Sequence, residues 1–133
     1  MYAAPLGWFE IQNLSPETVV SWKPLIEMWK RHRDAIHAGY IHPVGARPDG
    51  LQWTGFVSAA KDGRSGTALL FRELAPSPEF VLNVSPFLPR VEKVRTLAGR
   101  GCAELHGNSL AVVVPSKLDF IWVEFSQGDQ TIQ

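Results

Sequence analysis

Cysteine is almost absent from this chain. Cys102 is the single one in 133 residues, which excludes an internal disulfide and a thiolate-built metal cluster. No stretch approaches the roughly 18 consecutive apolar residues of a membrane span. The opening residues Met1 to Leu6 lack the basic start and apolar stretch of a secretory leader. Net charge is absent too, since 13 basic and 13 acidic residues cancel. That balance argues against a nucleic-acid binder, which needs a basic surface, and against a polybasic membrane-surface protein. Charged residues make up only 20% and aromatics reach 11%, a balance that opposes disorder. Internal repeats and low-complexity segments are absent as well.

The composition that remains is 45% hydrophobic, enough to fill one core at this length. Residues 6–12 read as a short extended segment. Ser15 followed by Pro16 reads as a helix start, with Ser15 capping and Pro16 in the first helical position. Pro24 interrupts, because a proline deep in a helix removes a bond and clashes. The reading is therefore a short turn at 16–20 and a main helix at 22–38, recapped by Ser21. Trp22, Leu25, Trp29, His32 or Arg33, Ile36 and Tyr40 recur at steps of three and four, so the helix is amphipathic. Gly39 is its expected C′ stop.

Beyond Tyr40 the pattern turns to short extended runs. Pro43, Gly45, Pro48, Asp49 and Gly50 punctuate a loop. Strands are expected at 52–59, 67–73, 80–84, 90–97, 102–106, 110–114 and 118–126, the last of them central. Seven or eight short strands at this spacing predict a mainly β fold, an antiparallel sandwich preceded by one amphipathic helix. The expected organisation is a strand stub and helix over 1–40, the sandwich over 41–127, and a fraying tail over 128–133.

Several short motifs then combine. Gly7-Trp8-Phe9-Glu10-Ile11-Gln12-Asn13-Leu14 resembles the last barrel strand and loop of melibiase-type α-galactosidases. Trp29-Lys30-Arg31-His32-Arg33 resembles the helix that closes their (β/α)8 barrel. His42-Pro43-Val44-Gly45 and Arg47-Pro48-Asp49-Gly50-Leu51-Gln52-Trp53-Thr54-Gly55-Phe56 resemble the start of their C-terminal β-sandwich, and Phe71-Arg72-Glu73 a strand that follows. The resemblance is strongest from Trp8 to Glu73; from Phe80 onward only a generic strand pattern matches. It implies the C-terminal end of a glycoside hydrolase, a non-catalytic accessory domain packed on a barrel that this chain does not contain. The family's catalytic aspartates sit on earlier barrel strands, so no catalytic residue carries over.

The residues themselves agree with that negative. Glycoside hydrolysis needs two carboxylates across a cleft. Asp49 and Asp62 lie beside glycines, where turn duty accounts for them. Asp119 and Glu124 are five apart on one strand and point to opposite faces; Glu73 follows Arg72, and the two are candidates for an ion pair at the sandwich edge. His32 and His37 diverge on the helix. Cys102 and His106 share a strand face but lack a third ligand, and Cys102 reads as a buried thiol. Gly99 and Gly101 lack the third glycine and the strand-to-helix context of a dinucleotide loop. No catalytic, carbohydrate-binding or metal residue is assigned, and no cofactor is expected. Trp8, Trp53 and Trp122 are the candidate sugar platforms, with packing favoured for Trp53 and Trp122. A sizeable exposed apolar patch is expected where the barrel belongs, with a homodimer through it as a second possible assembly. The alternative function is an independent carbohydrate-binding module, and the lone cysteine fits a cytoplasmic setting.

Overall fold

The computed structural model describes residues 13–128; the expected strand stub at 6–12 and most of the expected tail lie outside them. One helix, α1 (Pro16–Ala38), precedes eight strands: β1 (Tyr40–Gly45), β2 (Thr54–Ala59), β3 (Ser65–Phe71), β4 (Glu79–Asn83), β5 (Lys93–Gly99), β6 (Cys102–His106), β7 (Ser109–Val113) and β8 (Phe120–Ser126). All pairings are antiparallel. They build a five-stranded sheet in the order β1-β2-β3-β8-β5 and a three-stranded sheet in the order β4-β7-β6. The mainly β, helix-plus-sandwich expectation is met, and β8 is an interior strand.

The core lies between the sheets. Alternation sends Val57, Ala59, Ala68, Leu70, Ile121, Val123 and Phe125 inward from the larger sheet, and Leu82, Leu110 and Val112 inward from the smaller. Val84, Leu88, Val91 and Val114 close it from the connections. The opposite face of the larger sheet carries its own row, since Pro43 pairs with Phe56, Phe56 with Leu69 and Leu69 with Trp122. Helix α1 lies over the buried end of this row: Ile36 clusters with Leu69 and Trp122, flanked by Met28, Trp29, Phe71, Leu97, Ala98 and Phe120. The result is three layers, small sheet, large sheet and helix.

Two local expectations are corrected. The helix is continuous across Pro24. Ser15 caps it, its hydroxyl accepting the Thr18 N–H at 3.2 Å. The carbonyl that Pro24 leaves without a helical partner belongs to Val20, a residue 71% exposed, so the lost bond falls on an open face of the helix. Tyr40–Gly45 is a strand, where a loop is expected from Pro43 and Gly45. β1 pairs only with β2, and an edge strand tolerates a proline because one side of its backbone needs no donor. Gly39 stops the helix as expected, in an extended conformation (φ −83°, ψ −175°). Glycine is required there because a Cβ would stand 2.5 Å from the Ala59 carbonyl oxygen, where the chain turns from α1 into β1 alongside β2.

Candidate interaction surface

The residue types that carry chemistry are mostly occupied with structure. Trp53 is buried, donates its indole N–H to the Ser77 carbonyl at 3.1 Å and stacks on Phe80 at 5.3 Å. Trp122 is fully buried, with the His32 ring edge-on at 5.4 Å. Packing, not sugar stacking, is the role of both; Trp8 lies outside the described residues. Asp49 accepts the Leu51 N–H at 2.8 Å and Asp62 the Arg64 N–H at 3.0 Å, the turn duty read from their glycine neighbours. One oxygen of Asp119 accepts the Phe120 N–H at 2.9 Å, and the other faces Arg100 at 3.9 Å.

Arg72 and Glu73 do not pair. Arg72 is 6% exposed and donates to the carbonyls of Ala75 at 3.1 Å, Val114 at 3.0 Å and Pro76 at 2.9 Å, and also to Pro115. A guanidinium carries five N–H groups in a fixed fork, so one side chain ties the loop after β3 to the loop after β7. Glu73 instead accepts the Thr54 hydroxyl at 3.3 Å. This staple was invisible in the sequence because two of its four acceptors, the carbonyls of Val114 and Pro115, lie about forty residues away.

Cys102 is exposed, which corrects its reading as a buried thiol. Ala103 and Leu105 pack toward the core, so alternation puts Cys102, Glu104 and His106 on the outer face of the smaller sheet. Among the described residues, no three histidine, cysteine, aspartate or glutamate side chains converge as a cation site. His32 has its Nδ1 2.9 Å from the Met28 carbonyl and its Nε2 3.9 Å from Glu124, which Arg95 holds at 2.7 Å. His32, Ser58, Thr67 and Glu124 border a cavity of about 50 Å³ under the helix, too small for more than a few waters.

What stands out is the helix. Ile36 is its only buried residue, and Ser58 fixes that end by donating its hydroxyl to the Ile36 carbonyl at 2.8 Å. Toward the N-terminus the seat opens. Val19 is 50% exposed, Trp22 39% and Ile26 45%, while Phe56 and Ile41 on the neighbouring outer sheet face are 42% and 36% exposed. On the other flank, a groove of about 680 Å³ separates Trp22, Leu25 and Met28 from Leu97, Leu118 and Phe120. Val19 and Ile26 on the helix, and Ile41 and Phe56 on the outer sheet face, thus keep apolar surface exposed. Trp22 and Trp29 were legible as a packing face from their spacing; Val19, Ile26 and Phe56 were not singled out, although their spacing along α1 and β2 was the available signal. At the helix start, the Glu17 carboxyl titrates below the ordinary glutamate range, because its own backbone N–H and the Ser15 hydroxyl bond to the charged form. Among the described residues, no helix is long and apolar enough to cross a membrane. No protein-family model matches the chain, and no curated protein or solved structure does either.

Proposed function

We propose that this chain is a non-catalytic accessory domain of a glycoside hydrolase of the α-galactosidase type, and that α1 and the adjoining outer sheet face dock it against that enzyme's catalytic barrel. The observation that carries the reading is the helix of 23 residues with one buried position and apolar side chains exposed along a flank. The motif string from Trp8 to Glu73 supports the choice of partner. The domain contributes surface and packing, and catalysis belongs to the barrel. The exposed, unpaired Cys102 fits a reducing compartment such as the cytoplasm.

The test mixes the full chain with a melibiase-type α-galactosidase barrel trimmed of its own sandwich. Association that raises the barrel's Tm is expected, and so is its loss in Trp22→Asp. A folded chain that neither binds nor stabilises the barrel overturns the reading. The carbohydrate-module alternative is decided by titrating the chain with galactose and melibiose while following tryptophan fluorescence. No response is expected up to roughly tens of millimolar; saturable binding would favour the module.

A further inference from the structure

We infer that two copies of this chain join through the edge strand β4, paired antiparallel about Val81, so that their three-stranded sheets merge into one. This goes beyond the docking proposal and uses a different part of the molecule, since the large sheet lies between the small sheet and α1.

The warrant begins with the sheet edges. Among the described residues, β1, β5, β4 and β6 are each paired on one side only. An open edge invites another strand, and natural sheets blunt it with proline, charge or a bulge. β1 carries Pro43. β5 carries Lys93, Arg95 and a register shift between Thr96 and Ala98. β6 carries Glu104 at its middle. β4 has none of these at its centre. Val81 stands there, 65% exposed, between Phe80 and Leu82.

The phase of the ladder then fixes which backbone groups face outward. The Val84 N–H donates to the Asn108 carbonyl and the Val114 N–H to the Pro78 carbonyl, each at 2.9 Å. An antiparallel ladder bonds at every second residue. The even-numbered positions of β4 therefore face β7, and the N–H and C=O groups of Glu79, Val81 and Asn83 face the edge. The Ser77 hydroxyl covers Glu79, accepting its N–H at 3.1 Å and donating to its carbonyl at 3.2 Å. Val81 and Asn83 keep their edge-facing groups open among the described residues.

This edge is complementary to itself. A two-fold axis at Val81 sets it against Val81 of the second copy. Such a pair exchanges both of its N–H···O=C bonds, with Cα atoms about 5.5 Å apart. The same register sets Asn83 opposite Glu79 of the second copy, whose carbonyl keeps a second lone pair for the Asn83 N–H. No like charges meet, and the two valines cover each other on the outer face, as an isologous interface requires. A two-fold at Glu104 of β6 would instead set two carboxylates opposite each other.

The test is sedimentation of the full chain over a concentration series. A concentration-dependent dimer is expected. Val81→Lys places like charges across the axis. Val81→Pro removes the edge-facing N–H and leaves the bonds to β7 in place. Each should weaken the dimer at least tenfold with the far-UV spectrum unchanged. Disulfide trapping is a second readout that needs neither variant. In a Cys102→Ser background, Val81→Cys should oxidise to a covalent dimer, because about 5.5 Å lies within the Cα separation of a disulfide. Asn83→Cys should stay monomeric, because its counterpart lies about 13 Å away along the strand. A chain that stays monomeric and does not cross-link through Val81→Cys overturns the proposal. So does equal cross-linking through both positions, or a dimer that both Val81→Lys and Val81→Pro leave intact.

Discussion

Strand β8 buries Ile121, Trp122, Val123 and Phe125 completely within seven residues, whereas α1 buries Ile36 alone within 23. The strand lies between two sheet neighbours, with the small sheet on one face and the helix on the other. Every direction from it is occupied. Among the described residues the helix packs on one layer, the large sheet, and its C-terminal half is fastened by Ser58 and by the His32–Glu124 contact. The core between the sheets closes without a helix residue, while Val19, Val20 and Ile26 of the helix stay largely exposed.

The sharpest way to break this comparison is to attack the sandwich where no part of the helix is involved. Replacing Arg72 by Met removes the donors of four backbone carbonyls. A loss of about 3 kcal/mol is expected, read as a lower urea midpoint for the whole domain. A variant as stable as the parent would mean that water replaces the guanidinium freely and that the two loops need no staple.

The middle-sized effect separates the two regions. Ser58→Ala deletes the bond that holds the Ile36 carbonyl, at a cost of about 1 kcal/mol. Amide exchange in α1 should accelerate while β3 and β8 stay protected, since the helix can lift without opening the core. Equal acceleration in both regions would show that helix and sandwich open as one unit.

Much of the sandwich was legible because its strands alternate and its turns carry Gly, Pro and Asp. The strand Cys102–His106 was read with its observed bounds, and Trp122 was placed in an interior strand by the apolar run around it. The failures share one physical cause. Pro24 and Pro43 were judged by local backbone rules, and each answers to its surroundings: an exposed helix face for Pro24 and a sheet edge for Pro43. The same holds for the candidate surface. Spacing placed Trp22 and Trp29 on one face, but whether that face is covered depends on how far the sheet extends beneath it. Arg72 is the extreme case, since nothing near it in sequence announces acceptors contributed by Val114 and Pro115.

The smallest expected effect lies at the far end of the helix. Glu17 is fully exposed, and its carboxyl is held below the ordinary glutamate range by its backbone N–H and the Ser15 hydroxyl. A carboxyl depressed in the folded state adds stability that is present above its unfolded value and fades as pH falls through its folded value. Acidification should therefore fray the first turn of α1 while the sandwich stays intact. Helical ellipticity of the full chain followed from neutral pH into the acid range measures this, with Glu17→Gln as the comparison. The variant should lose the acid-dependent part of the signal, because a neutral amide cannot titrate. Identical acid profiles for the two chains would remove Glu17 from the account and leave the Ser15 cap as the local support of the first turn.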